Sequence, residues 1–592
     1  MTLRRDRGIV DYLLIGVMAL GLALALASVF GAGISTSVAG LRVSARTLFR
    51  PVVLALAACL IALSRSERRR RQFTDLWTLA QRHATRIAVG MAIVVFVVAM
   101  RMSLFEASAS DQWGYVSQAA LWARGDLVIQ QPLAAEAPWP EADLTLAPLG
   151  YRPGQRPATI VPTYPPGLPL IMAGLVKIFG PFGAFMAVPL LGSLAVVMTF
   201  FLGSRIGGPT CGLLAAMLLS TSPIFLFQVR EPMSDVAVTA WWLIATLCVA
   251  RSTTASVLGG GLAASAAIVT RPNLVPLAAL LGVFVLCYSA PRLRTRLGNA
   301  LCFAGAVLPG CIGLALVNRA LYGSPLEFGY GSTAELFKAE YLTANLSRYS
   351  RWLVETETPL IVLALFAPWF IRTSLSWLFV AISATVFVSY MFYVPFDNWT
   401  YLRFLLPAIA LLLIFTAFVI LTLSRRLRSP FSRWLVAASC IAVMAWRWDS
   451  AGMQPPRPND RRFAVVGEFV RDELPQNVIL LSMQHSGSVR YYSGRLSLRW
   501  DVLRPDWLEP SLTFLRAKGY RPMLLLEEWE QPLFTKRFAA HAKVAALDWQ
   551  PVATYFGDIR TDIFDPADRD QSGASPATKT IGNGPPMSKA RQ

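Results

Sequence analysis

The sequence predicts a polytopic α-helical membrane protein that carries a small α/β domain near its C-terminal end. Three observations carry that reading. The 592 residues are 55% hydrophobic and only 15% charged, which is too apolar and too long for one soluble core. The apolar residues come in blocks of membrane-spanning length, and arginines cluster between the blocks as the positive-inside rule requires. From Trp448 onward the apolar runs shorten to strand length and alternate with amphipathic stretches. The net charge of +20 is therefore a matter of topology rather than of nucleic-acid binding.

Arg4, Arg5 and Arg7 precede the first apolar block, 9–30. That block is too long for a signal h-region and lacks a small-residue cleavage site after it, so an uncleaved signal anchor is expected. With block 48–63 it makes a hairpin, and the basic segment 65–86 follows as a cytoplasmic loop; residues 1–86 form one region. Residues 87–447 form the transmembrane module. Block 87–101 runs outward into a large external loop, 106–163. Blocks 165–179, 182–203 and 208–227 then lie between two loops that must share a side, so one of the three is not a full crossing, and 165–179 is the shortest. Blocks 235–250, 257–270 and 273–288 alternate down to Arg292, Arg294 and Arg296. Block 300–317 leads to a second external loop, 322–357, and 359–370 with 375–394 make a return. Blocks 402–423 and 434–445 flank Arg425, Arg426, Arg428 and Arg433. The length rule gives about twelve or thirteen transmembrane helices. Residues 448–566 are expected as an extracytoplasmic α/β domain. Residues 567–592, rich in Gly, Ser, Pro and charge, are expected as a disordered tail.

The seven cysteines all lie inside apolar blocks, without metal or disulfide spacing, and the three histidines are scattered. No metal site is expected. From Ile87 onward no membrane block carries an ionisable residue near its centre, as ion-coupled transporters and pumps do. The charges gather instead at helix ends on one face: Asp111, Arg230, Glu231, Asp235, Arg271 and Arg403. In the terminal domain, Gln484-His485-Ser486-Gly487-Ser488 reads as a structural turn before a helix, with an anion site as the alternative.

The order of Ser110-Asp111-Gln112-Trp113-Gly114-Tyr115 in the first loop, Tyr164-Pro165-Pro166-Gly167-Leu168-Pro169-Leu170 after it, Arg230-Glu231-Pro232-Met233-Ser234-Asp235, Thr270-Arg271-Pro272-Asn273, and Trp399-Thr400-Tyr401-Leu402-Arg403-Phe404 resembles the GT-C glycosyltransferases. The similarity is to the branch of protein O-mannosyltransferases, lipid A aminoarabinose transferases and lipopolysaccharide-core sugar transferases, over roughly residues 87–423. The N-terminal hairpin is an addition, and Asp111-Gln112 stands where an Asp-Glu pair is more usual.

The resemblance implies a GT-C-like bundle that transfers a sugar, with inversion, from a polyprenyl-phosphate donor to a glycan, lipid or protein hydroxyl, with no cofactor beyond the lipid-linked donor. The expected setting is the bacterial inner membrane, with the active site facing the periplasm. Asp111 is then the general base, with a helix-capping Asp as the alternative. Arg271 and Arg403 would clamp the donor phosphate bidentately, with interfacial snorkelling as the alternative; Arg230 and Arg152 are further candidates. Asp235 and Glu231 are supporting acidic residues. Trp113, Tyr115, Tyr164, Trp399 and Tyr401 are candidates to stack on a sugar ring or prenyl chain, against an aromatic belt at the bilayer interface. The rival functions are a lipid-linked saccharide flippase, which would need deep polar lining, and a polysaccharide ligase or polymerase, which would concentrate arginines in one long loop.

Overall fold

The computed structural model describes residues 2–29, 35–38, 41–44, 47–331, 333–427, 430–450, 461–557, 559–570 and 578–582. Among them, five helices are long and apolar enough to cross a membrane: Ala84–Met102, Gly183–Gly207, Leu293–Tyr322, Ser374–Met391 and Trp399–Arg425. Three bent pairs bring the number to as many as eight, and five shorter apolar helices accompany them. The polytopic helical architecture is thus as expected. The chain divides into two compact units, residues 1–102, 188–311 and 334–455 in the first and 103–187, 312–333 and 456–592 in the second.

Among its described residues the first unit is helical, with a hairpin of Ser35–Val38 and Leu41–Ser44. Its basic segment is not the expected loop. Residues Glu67–Arg82 form an α-helix, because Ser66 accepts a hydrogen bond from the Arg69 amide at 3.4 Å and arginine is a good helix former. Helices Ser234–Val249 and Thr254–Thr270 pack as an antiparallel hairpin. A reciprocal capping box between Thr253 and Ser256 starts the second of these. Small residues let its neighbours approach closely: a side chain at Gly261 would run into the Phe303 carbonyl. Segment 359–370 is not a regular helix. Pro359–Phe366 is 3-10, and at about 22 Å the segment is short of the ~30 Å hydrocarbon core. It bends by 107° from the preceding helices, after Thr358 at φ 64°.

Glu357, the last residue of the expected external loop 322–357, is 1% exposed. It pairs with Arg447, also 1% exposed, and accepts a hydrogen bond from Ser222. Two residues on, Asp449 accepts from the Leu48 and Phe49 amides at 2.7 and 2.8 Å and so caps helix Phe49–Arg65. Arg428 lies outside the described residues.

The second unit joins the first loop to the terminal domain, so the linear division at residue 448 does not hold. Its main sheet runs in the order Lys579–Ile581, Ala553–Tyr555, Thr561–Phe564, Arg521–Glu527, Val478–Leu481, Leu496–Leu498. The last three strands are mutually parallel, and Thr561–Phe564 is antiparallel to both its neighbours. Alternate residues serve opposite faces. Val478, Leu480, Met523 and Leu525 enter one core and Ile479, Leu481, Leu524 and Leu526 the other.

The second of these cores contains Leu133, Trp139 and Leu146 from the first loop. That loop has too few apolar residues for a core of its own and buries them against Leu508, Leu512 and Phe534. The expected disordered tail also contains a strand, Lys579–Ile581, parallel to Ala553–Tyr555 and anchored by Ile581 at 3% exposure. Residues 571–577 and 583–592 lie outside the described residues. Of the three consecutive apolar blocks, 165–179 gives helix Gly167–Phe179, which spans about 20 Å and packs on helix Asp111–Ala123. At that length it falls short of the ~30 Å hydrocarbon core. Block 208–227 gives a pair bent by 65°.

Candidate functional site

In the first unit, three elements deliver three charges to one place. Asp235 is the second residue of helix Ser234–Val249 and is 3% exposed. Arg271 ends helix Thr254–Thr270 at φ −152°, ψ 90°, the extended conformation that the following Pro272 enforces. Because the two helices are antiparallel, both residues emerge at one end. Arg403 sits in the 3-10 turn Trp399–Leu405, started by Asn398, which accepts from the Thr400 amide at 3.0 Å.

Arg271 forms an ion pair and hydrogen bond with Asp235 Oδ1, and Arg403 Nε lies 3.7 Å from Asp235 Oδ2. One carboxylate thus holds two guanidiniums. Aromatic rings set their planes. Arg271 lies over Phe404 at 4.6 Å and Tyr390 at 5.6 Å, while Arg403 lies over Tyr401 at 4.7 Å and Phe404 at 5.3 Å. Phe404 and Tyr390 stack at 4.9 Å, and Asn273 Nδ2 donates to the Tyr390 hydroxyl at 2.9 Å. The arginine side chains keep 16% and 12% exposure. Glu231 lies in the turn before Asp235, where its carbonyl accepts from the Met233 amide at 2.7 Å. Arg230 stacks on Phe227 at 5.1 Å.

In the second unit, Asp111 is the first residue of helix Asp111–Ala123 and is half-buried. Ser110, not Asp111, occupies the N-cap, so Asp111 does not cap the helix. The helix dipole favours a carboxylate in this first turn. Tyr164 donates to Asp111 Oδ1 at 2.9 Å, and Ser110 Oγ lies 3.1 Å from the same hydroxyl. Burial, and then the charge of Asp111, push the Tyr164 phenol well above its ordinary range, so it stays protonated and donates. Space for the ring comes from Gly114, where a side chain would overlap Tyr164.

The stacking residues are corrected by burial. Trp113, Tyr115 and Tyr164 are 4%, 4% and 3% exposed, so they are core rather than platforms for a sugar. Trp113 donates to the Leu149 carbonyl at 2.6 Å, and Tyr115 packs on Tyr164 at 4.5 Å. Tyr401 is half-buried, stacked on Phe396 at 3.8 Å beneath Arg403, and Trp399 packs on Phe227 at 5.7 Å. Arg152 binds Glu327 at 2.8 Å and the Phe328 carbonyl at 3.2 Å, over Tyr322; it brackets strand Tyr151–Pro153 rather than standing ready for phosphate. The turn at 484–488 is structural. Ser486 Oγ accepts from the Leu149 amide at 3.2 Å, buried His485 lies 3.1 Å from Glu527, and Gly487 lies against Trp113. Among the described residues no three His, Cys, Asp or Glu side chains gather as metal ligands.

Tyr164 as the partner of Asp111, and Tyr390 and Phe404 as the frame of the arginines, were missed as such. Their signal was their place in or near the quoted motifs, but burial and long-range stacking are not written in spacing.

No protein-family model matches the chain, and no curated protein matches it by sequence. Solved structures do match. ArnT from Cupriavidus metallidurans, crystallised bound to undecaprenyl phosphate, superposes with a TM-score of 0.50 at 11% identity over 81% of this chain and 97% of its own; its apo form gives the same values. The Archaeoglobus fulgidus oligosaccharyltransferase gives 0.48 at 10% identity, over 80% of this chain and 74% of its own. In its polytopic helical architecture, the chain has the fold of the GT-C glycosyltransferases.

Proposed function

We propose that the protein is a membrane glycosyltransferase that moves a sugar from a polyprenyl-phosphate carrier to an acceptor hydroxyl outside the cytoplasm, at the inner membrane of a bacterium. The observation that carries this reading is the pair of arginines brought together on one carboxylate and framed by aromatic rings. A lipid phosphate leaving group needs fixed cations where its charge develops. Arg271 and Arg403 supply them, and Asp235 fixes their orientation. ArnT, whose structure contains undecaprenyl phosphate, shares the fold.

In the reaction, the acceptor oxygen attacks the anomeric carbon as the carbon–oxygen bond to phosphate breaks. The electron pair leaves with the polyprenyl phosphate, and the acceptor's proton goes to Asp111. A single displacement of this kind inverts the anomeric centre. General-base assistance is worth roughly a hundred- to ten-thousand-fold. Tyr164 holds the carboxylate in place. Glu231 is a supporting acidic residue beside Asp235.

The test is deletion of the gene, mass spectrometry of envelope glycans, glycolipids and glycoproteins, and add-back of wild type and Asp111→Asn at equal membrane levels. Wild type should restore a glycosylated species that Asp111→Asn does not. Restoration by Asp111→Asn to more than about a tenth of the wild-type level would remove Asp111 from the role of base.

A further inference from the structure

Helix Glu67–Arg82 belongs to no site described above. It follows helix Phe49–Arg65 at a bend of 118°, close enough to a right angle that, where the first helix runs through a bilayer, the second lies nearly along its surface. Arg68, Arg70 and Arg71 are exposed, and the side chains of the Arg71–Glu67 pair are 78% and 73% exposed. The helix contains five arginines against Glu67 and Asp75.

At 100° per residue, Arg69, Leu76, Trp77 and Ala80 fall on one face, while Arg68, Arg71, Asp75 and Arg82 fall on the other. The apolar side is uncovered: Leu76 is 63% exposed, Trp77 41% and, at its margin, Leu79 49%. At its far end, Gln81 Nε2 donates to Thr210 Oγ1 at 2.7 Å. A soluble surface helix has no use for Leu and Trp turned to water beside a run of four arginines. A helix lying in a headgroup layer has: the rings enter the acyl boundary, and the guanidiniums stay with the phosphates.

We infer that helix Glu67–Arg82 is an interfacial anchor for anionic glycerophospholipids, with Leu76, Trp77 and Ala80 at the acyl boundary and the exposed Arg68, Arg70 and Arg71 on lipid phosphates. The charge selects the lipid, since an anionic leaflet attracts each nearby arginine by an amount equivalent to about fivefold in partitioning. The attraction weakens with salt. The anchor is independent of the catalytic reading and holds whatever the enzyme transfers.

The test uses the full-length protein in nanodiscs of phosphatidylcholine, with or without phosphatidylglycerol, and follows amide hydrogen exchange of the peptide covering residues 67–82. Phosphatidylglycerol should slow exchange in wild type by about tenfold or more, and high salt should reduce the effect. Arg68→Gln/Arg70→Gln/Arg71→Gln should lose the lipid dependence, and Leu76→Asn/Trp77→Asn should exchange rapidly in both lipids. Equal exchange of wild type in the two lipids would overturn the proposal without any variant. Protection that appears only in discs holding two copies would assign the face to a second chain instead.

Discussion

Gly487→Ala should disable the enzyme from within the terminal domain. A methyl group at this position would fall inside the indole of Trp113, against Nε1, Cδ1 and Cε2. The indole has nowhere to go: it donates to the Leu149 carbonyl at 2.6 Å, packs against Tyr151 at 5.4 Å and meets Tyr491 edge-on at 6.3 Å. Forcing one methyl into such a core costs about 1–3 kcal/mol, and helix Asp111–Ala123 must yield. Trp113 stands two residues after Asp111, so a shift of roughly 1 Å there displaces the base and lowers transfer by about a hundredfold. Trp113→Phe removes Nε1 with its hydrogen bond to Leu149 and leaves a smaller ring that can yield to the methyl. The double variant should therefore exceed Gly487→Ala alone in both thermal stability and transfer, a coupling that independent sites do not show. The assays are thermal unfolding of the purified full-length protein and restoration of the glycan in the deletion strain. Wild-type stability and activity in Gly487→Ala, or no gain from Trp113→Phe, would refute the packing argument.

Two further outcomes follow from buried charge. Arg447→Leu leaves Glu357 buried without its cation and should cost about 3–5 kcal/mol, while Arg447→Leu/Glu357→Leu should recover much of the loss; additive losses in thermal unfolding would count against the pair. In the terminal domain, burial pushes the Glu530 carboxyl from 4.5 up to about 7, even though it accepts hydrogen bonds from the Glu527 and Gln484 amides. The folded state therefore holds a proton that the unfolded chain releases. Stability should be greatest near and below about pH 4.5 for this group and fall as pH rises toward about 7, by on the order of 3 kcal/mol. Glu530→Gln should flatten the difference in melting temperature between about pH 5 and about pH 7.5; an unchanged slope would assign it to other groups.

The apolar blocks and the arginines between them were enough to read a polytopic membrane protein, because bilayer thickness and the positive-inside rule act on composition directly. The same focus on charge misread the arginine-rich segment as a loop, although Ser66 and Glu67 are helix-starting residues. The capping alternative for Asp111 already put a helix start at this place, and helix Asp111–Ala123 begins there. That Trp113, Tyr115 and Tyr164 are core was not, since an aromatic looks the same on a belt, a platform or a packed interior until its neighbours are known. No spacing rule places Arg271 and Arg403 on one carboxylate. Asp235 and Arg271 meet because two helices pair antiparallel, and Arg403 arrives on a 3-10 turn from much later in the chain. Nor could local pattern reveal that Leu133, Trp139 and Leu146 complete the core of a domain more than three hundred residues downstream.

The most direct measurement is binding of undecaprenyl phosphate to the purified full-length protein by native mass spectrometry. Wild type should retain the lipid, and Asp111→Asn should bind it equally well, because the base does not hold the phosphate. Arg271→Ala and Arg403→Ala should each weaken binding by about 10- to 100-fold, the worth of a charge-assisted hydrogen-bond pair. Arg271→Lys and Arg403→Lys should fall between, keeping the charge but losing the fork. Wild-type retention of the lipid by Arg271→Ala/Arg403→Ala would contradict the account and return both arginines to a structural role around Asp235.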